Sequence, residues 1–249
     1  WIRDVELPRR RVRLAELRGL LHGYRQRGKE AARVSQELLD GVENSYKGLS
    51  GRHRTLLDKE FFGRKVETER AFRAKLEADP VKKQKYLGAY AAIDGAYARY
   101  AELLDAYETL EGHRGYGSEA FMTAVRLVRL ADELALPNDK RLPEYTDAKL
   151  PGLKAGLLAK KPYYPDFEAE VFGWSLEKAR ETLGPDHPYI KKLLGKEAPR
   201  ALAQRLVRGS KLGDVAVRKR LLEGGAAAIA ASKDPMIQLV RALEDRKSV

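Results

Sequence analysis

The sequence predicts an all-α protein: an elongated multi-helix domain, with long antiparallel helices in the N-terminal half and short packed helices in the C-terminal half. Apolar residues recur every three or four positions, and no segment alternates with the period of two that is typical of strands. Charged residues make up 34% of the 249 residues, a density typical of long solvated helices. We expect one helical domain over 1–249, with long helices in 1–112 and short ones in 113–249.

The N-terminal half predicts three long helical segments. A first helix near 9–27 follows Leu7-Pro8, and Val12 is assigned to its apolar face. A second segment runs from about 30 to 78. Asp79-Pro80 begins the third, near 81–111, because Asp is a favoured N-cap and Pro is favoured at the first helical position. We expect the second and third segments to form an antiparallel pair.

Two places inside the second segment are candidate breaks, Ser50-Gly51 and Phe61-Phe62-Gly63. The third segment carries a stripe of large residues at helical spacing. A stacking platform for nucleic-acid bases is one interpretation. Packing against other helices, aided by interleaved alanines, is the interpretation that we prefer for Tyr86, Tyr90, Ile93, Tyr97, Tyr100, Leu104 and Tyr107.

Prolines divide the C-terminal half into shorter pieces. Ser118 is the predicted N-cap of a helix over 119–136, which Pro137-Asn138 ends. Further helices are predicted near 142–160, 166–183, 187–194, 198–209, 214–223 and 235–245.

Composition limits the classes of function. The formal net charge is +12, but 36 acidic residues are mixed among 48 basic ones, which argues against a dedicated nucleic-acid surface. There is no cysteine, so disulfides are excluded. No apolar run is long enough for a membrane span. The N-terminus lacks the pattern of a signal peptide, and the chain has the character of a piece of a longer protein.

One stretch, 40–52, departs from ordinary helix composition. Gly41, Asn44, Gly48 and Gly51 follow the i, i+3, i+7, i+10 spacing of a single helix face. Val42 belongs to the apolar face, and Asn44 is about 200° round the helix from it. Each mid-helix glycine costs about 1 kcal/mol relative to alanine. We therefore expect a bare strip that carries one amide and lets a backbone or ligand come close.

Catalytic and metal-binding motifs are missing. The four histidines, His22, His53, His113 and His187, lack the i, i+4 spacing of a helical metal site and are interpreted as surface residues. The glycine-rich loop 112–117 lacks the Gly-Lys-Ser/Thr ending of a phosphate-binding loop. There is no Gly-x-Ser-x-Gly elbow. We expect no metal and no cofactor, and we do not expect this chain to be an enzyme by itself.

Five short sequence motifs occur here in an order that is similar to that of motifs in one peptidase family. They are Val42-Glu-Asn-Ser-Tyr-Lys-Gly-Leu-Ser-Gly-Arg52, Arg114-Gly-Tyr-Gly-Ser-Glu-Ala-Phe121, Arg141-Leu-Pro-Glu-Tyr-Thr-Asp147, Glu181-Thr-Leu-Gly-Pro-Asp-His-Pro188 and Ser232-Lys-Asp-Pro-Met-Ile-Gln-Leu-Val-Arg241. Together they resemble the bacterial dipeptidyl peptidases of serine peptidase family 46, of the dipeptidyl-peptidase 7 and 11 type. The resemblance spans nearly the whole chain.

The resemblance implies a division of labour in which one domain carries the catalytic residues and another caps the cleft. Members of that family carry the Ser-His-Asp triad on a chymotrypsin-like double β-barrel, and a helical domain inserted in the barrel caps the cleft. This chain is similar to the helical domain alone, because it has no Gly-Asn-Ser-Gly nucleophile turn. No triad residue is therefore assigned here. The resemblance also implies a periplasmic or secreted protein, a parent that forms homodimers and no membrane partner.

The resemblance gives Asn44 a role. The family's Glu-Asn-Ser-Phe/Tyr-Lys segment matches Glu43 to Lys47, and its asparagine helps hold the free α-amino group of a peptide substrate. An amide oxygen can accept a hydrogen bond from an ammonium group. We expect Asn44 to contact the substrate amine, with Gly41, Glu43 and Gly48 as further candidates at the same site. The expected partners are the peptide substrate and the β-barrel of the same parent.

Two other interpretations of the chain's function stay open. The charge, and the run Arg9-Arg10-Arg11, would also suit a free-standing basic helical module that binds nucleic acid or another acidic partner. Alternatively, the chain is a structural helical bundle whose glycine strip is the seam of an oligomer. Asn44 would then be a surface amide or pack on a neighbouring helix through the glycines.

Overall fold

The computed structural model describes residues 1–112 and 118–244. Within those ranges it contains eleven α-helices and no strand, which confirms the all-α prediction. Their bounds are α1 Leu7–Arg25, α2 Lys29–Leu57, α3 Lys59–Glu77, α4 Pro80–Leu110, α5 Glu119–Glu133, α6 Leu150–Leu158, α7 Pro165–Leu183, α8 Pro188–Leu194, α9 Pro199–Gly209, α10 Val215–Ala231 and α11 Pro235–Leu243. The chain forms two compact units, Trp1–Leu104 and a second that begins at Asp105.

In the first unit, α1 and α2 form an antiparallel pair joined by a tight reversal. Gly28 in this reversal has φ of +136°, a conformation that favours glycine. Leu21 of α1 is fully buried, and Val42 of α2 is 4% exposed. The predicted pairing of the segments 30–78 and 81–111 is wrong for α2, since the helix that packs along α2 is α1. Val12 is also wrongly assigned to the core, since it is 61% exposed.

The predicted helix over 30–78 is two helices, and both predicted break points are wrong. α2 continues through Ser50-Gly51 to Leu57. The break comes at Asp58, whose carboxylate accepts a hydrogen bond from the Phe61 backbone N–H at 2.7 Å and caps α3. A capping carboxylate satisfies donors that a new helix leaves free, whereas an internal glycine costs only about 1 kcal/mol.

α4 begins at the predicted cap, because the Asp79 carboxylate accepts from the backbone N–H groups of Val81 and Lys82. The interpretation of its large residues as a packing face is wrong for most of them. Leu104 is buried, but Ile93 and four of the tyrosines stay 38–52% exposed. Local contacts cover only part of the stripe: Trp1 stacks on Tyr97 with ring centroids 5.2 Å apart, and Arg73 lies over Tyr90.

The second unit is organised around α5. Ser118 caps this helix as predicted, with its hydroxyl accepting from the Phe121 N–H. Phe121 and Phe172 of α7 lie with ring centroids 5.4 Å apart in the core. The core continues through Leu176, Leu202, Leu206, Met236, Ile237 and Val240, all at most 2% exposed.

Two predicted elements of this unit differ from the structure. The helix expected over 142–160 begins only at Leu150, after single 3-10 turns at Asn138–Lys140 and Pro143–Tyr145. α10 continues beyond the expected end at 223 as far as Ala231, with a bend at Gly225. The predicted loop at 112–117 lies, apart from Gly112, outside the described residues.

Two charged side chains, the half-buried Glu168 and the buried Arg218, tie helix ends together in the second unit. The Glu168 carboxylate accepts from Ser118 Oγ and from the Ala120 N–H, at the start of α5, and burial raises the pKa of Glu168. Arg218 of α10 is 8% exposed. Its guanidinium donates to four backbone carbonyls, those of Leu157, Ala159, Leu212 and Gly213. The end of α6 and the segment before α10 are thereby held together.

We expect Arg218→Met to lower the free energy of unfolding by about 2–4 kcal/mol, because buried carbonyls would lose their donors. Urea denaturation followed by circular dichroism measures this. Lys219→Met, on the exposed side of the same helix, is the control and should change stability by less than about 0.5 kcal/mol. Equal effects of the two substitutions would show that the Arg218 bonds do not stabilise the unit.

Candidate functional site

The candidate site lies on the side of α2 that faces away from α1. Gly41, Asn44, Gly48 and Gly51 are all exposed on this side. A Cβ built on any of the three glycines has no heavy atom of the structure within 4 Å, apart from the neighbouring residues and the helix's own backbone. The bare strip expected from the spacing therefore exists, and it presents open space within the described structure.

Asn44 is the only amide side chain on this strip. Its side chain makes no hydrogen bond within 1–112 and 118–244. Both its oxygen and its NH2 group are therefore available to a partner. An amide oxygen in this state accepts a hydrogen bond from an ammonium group without first losing an internal bond.

Glu43 lies on the other side of the helix, at the seam with α1. Arg18 Nε donates to its carboxylate at 2.5 Å, and His22 Nε2 lies 3.3 Å from the same oxygen. The Arg18 guanidinium lowers the pKa of Glu43. The structure thus brings Gly41, Asn44 and Gly48 together on one surface and places Glu43 away from them, in contact with α1.

Asp40 is a candidate that the sequence reasoning did not single out. It lies one turn before Asn44, at the i, i+4 spacing that places two side chains on neighbouring parts of one face. Gln36 Nε2 donates to its carboxylate at 2.8 Å, and Arg25 in turn donates to the Gln36 oxygen at 2.7 Å. The same spacing rule, applied backwards from Asn44, would have found it. Its carboxylate adds a negative charge beside the amide.

The orientation of α2 is fixed by polar bonds along its inner side. Arg11 donates to Ser50 Oγ at 3.1 Å and to His53 Nδ1 at 2.7 Å. His53 is 9% exposed, so its interpretation as a surface histidine is wrong. As an acceptor at Nδ1, the His53 ring has its proton on the other nitrogen.

The remaining histidines are separate from one another. His22 is exposed beside Glu43, and His187 caps α8 by accepting from the Tyr189 N–H. His113 lies outside the described residues. Among the residues that are described, no group of three or more His, Cys, Asp or Glu side chains is placed to hold a metal ion.

None of the helices in the described ranges is long and apolar enough to cross a membrane. No curated protein matches the chain. The family model described as Peptidase S46 matches residues 1–249, the whole of the chain. The resemblance found from the five sequence motifs is thereby confirmed. The chain belongs to the S46 family of peptidases, which are hydrolases.

Proposed function

We propose that residues 1–249 form the helical cap domain of a serine-type dipeptidyl aminopeptidase and that Asn44 binds the free amine of the peptide substrate. The observation that carries this proposal is the exposed Asn44 amide, which has no hydrogen-bond partner among the described residues and lies on a strip otherwise made of glycines. Membership of the peptidase family supports it.

The strip suits the capture of a peptide terminus. A substrate ammonium needs acceptors, and Asn44 Oδ1 and the neighbouring Asp40 carboxylate supply a neutral and a charged one. Glycines at 41 and 48 leave room for a peptide backbone, or for the wall of a cleft, to approach the helix. If the amine is held at a fixed distance from the nucleophile, cleavage falls after the second residue and dipeptides are released.

The bond-breaking chemistry belongs to a β-barrel domain outside these residues, where a Ser-His-Asp triad and an oxyanion hole perform acyl transfer. The cap excludes water and positions the substrate when it closes over that cleft. We place the protein in the periplasm or outside the cell, with a homodimeric parent, by analogy with the family. No residue of 1–249 is proposed to act as nucleophile, base or acid.

The alternative of a basic nucleic-acid module gains no support from the arginine run near the N-terminus. Arg10 forms an ion pair with Glu6, and Arg11 is occupied by Ser50 and His53. Bonds inside the first unit therefore use guanidinium groups that a phosphate backbone would need.

The isolated 249-residue chain should not hydrolyse a dipeptidyl fluorogenic reporter, whereas the longer peptidase polypeptide that contains it should. The reason is that the triad is proposed to lie outside these residues. Release of the fluorophore, at matched concentrations of the two proteins, measures this. Turnover by the isolated chain that survives repeated purification would contradict the division of labour.

In the longer peptidase, Asn44→Ala should lower kcat/KM. The loss should correspond to about 1.5–3 kcal/mol of transition-state stabilisation, the scale of a hydrogen bond to a charged group. Steady-state kinetics with the same reporter measure this. Ser45→Ala, at the next exposed position of α2, is the matched control and should leave kcat/KM within about twofold. An unchanged kcat/KM for Asn44→Ala would remove this residue from the site.

Gly48→Ala should have opposite effects on stability and on activity. In the isolated chain, it should raise the free energy of unfolding by up to about 1 kcal/mol, because alanine is the better helix former and its Cβ meets only open space. In the longer peptidase, the same methyl group would intrude on the strip and lower kcat/KM by about tenfold.

Gly19→Ala on α1 is the control for this experiment, since a Cβ there also meets open space. It should stabilise the chain by a similar amount and leave activity unchanged. If Gly48→Ala also leaves kcat/KM unchanged, neither substrate nor cleft approaches the strip at this point.

A further inference from the structure

A concave surface on the second unit lies outside the proposed site. It opens to solvent and is formed by the segment after α9, by α10 and by the segment that leads into α11; its volume, open solvent included, is about 1000 Å³. Nothing in the proposed function uses it. Its shape, the apolar residues at its base (the floor) and the charge at its edge (the rim) each indicate a ligand site.

The shape depends on a bend in α10. Gly225 adopts φ +55° and ψ −144°, which divides the helix into two parts, and residues from both parts line the concavity. A side chain at this φ is strained, so the bend depends on glycine. Gly224 is restricted in a second way, because a Cβ there would lie 2.5 Å from the Ala228 Cβ. For these two reasons, the bend depends on the Gly224-Gly225 pair.

The floor of the concavity is apolar. Leu221 comes from the part of α10 before the bend and is 6% exposed, and Val217 lies one turn earlier. Ala228 contributes from the part after the bend. The small alanine keeps the floor open, so the surface offers room for one apolar side chain of a ligand.

The rim is positively charged. Lys211, Arg220 and Lys233 come from three different segments, and all are exposed. Within the described ranges, none of the three forms an ion pair or a side-chain hydrogen bond. Some arginines elsewhere in this unit are paired, such as Arg200 with Glu170 and Glu177, and Arg205 with Glu197.

One carboxylate, that of Asp234, also lines the concavity, but it is already occupied. It accepts from Ser210 Oγ, from the Lys211 N–H at 2.7 Å and from the Met236 N–H at 2.9 Å, as the cap of α11. Among the described residues that line the concavity, three cations therefore accompany one anion, whose oxygens already accept hydrogen bonds from the protein. A ligand would meet a positive rim around an apolar floor.

We propose that this surface binds an acidic peptide segment in which an apolar side chain lies between carboxylates. The apolar side chain would occupy the floor on α10, and the carboxylates would pair with Lys211, Arg220 and Lys233. A peptide fits better than a nucleic acid, because none of the described residues that line the surface has an aromatic ring to stack on a base. This site and the Asn44 site are independent, so either can fail alone.

Fluorescence anisotropy with the 249-residue chain tests the proposal. The probe is a fluorescein-labelled peptide of alternating glutamate and leucine, at about 50 mM salt, where exposed charges are screened less than at physiological salt. The triple variant Lys211→Gln, Arg220→Gln, Lys233→Gln should weaken binding about tenfold or more, since three ion pairs are lost. Lys219→Gln, a cation of α10 outside the concavity, is the control and should bind as the unmodified chain does.

Two further probes separate charge from shape. A peptide with glutamine in place of glutamate, and one with serine in place of leucine, should each bind more weakly than the original. Circular dichroism should show the same helical content for every variant. The proposal is overturned if the triple variant binds as well as the control, if the serine peptide binds as well as the leucine peptide, or if a single-stranded oligonucleotide displaces the probe at lower concentration than the unlabelled peptide does.

Discussion

The α1–α2 seam decides which residues of the first unit are available for function. Its bonds repeat along the length of the pair: Arg11 to Ser50 and His53, Arg18 to Glu43, and Arg25 to Gln36 and the Ala32 carbonyl. Leu21 and Val42 are buried between them. Because these contacts fix the rotation of α2 about its axis, the opposite face, with Asn44 and its glycines, must point outwards. A rotation of about 100° in one sense, one residue of a helix, would move the amide to the position that Glu43 occupies beside α1.

The glycines on this outer face weaken the helix, and the seam offsets that cost. A 29-residue helix with exposed glycines at 41, 48 and 51 is poorly supported by intrinsic propensity, at about 1 kcal/mol for each glycine. Packing against α1 supplies the stability that intrinsic helix propensity does not give α2. The first unit thus keeps a surface that is unfavourable for its own stability, as expected where function needs close approach.

Local signals of the sequence predicted local structure well. Asp79-Pro80 and Ser118 marked helix starts because capping depends on a few adjacent residues. The face shared by Asn44 and the glycines followed from helical spacing alone. The five sequence motifs, taken in their order along the chain, identified the family that the comparison then showed.

Features that depend on distant residues were beyond the same reasoning. Nothing in residues 30–57 shows that α1, rather than the tyrosine-rich α4, packs along α2. The burial of His53 and the orientation of Glu43 depend on that choice, because their partners Arg11 and Arg18 lie on α1. Likewise, the role of Arg218 appears only when the end of α6 comes close to α10 and to the segment before it.

The central claim, that Asn44 contacts the substrate amine, is tested most directly by two reporters that differ only in their free α-amino group. One has the ordinary amine, and in the other a hydrogen replaces it. The kcat/KM of each is measured with the longer peptidase and with its Asn44→Ala form. We predict a loss of about tenfold or more for the amine reporter and almost none for the other, since only the first can bond to the amide. An equal loss for both reporters would contradict the claim.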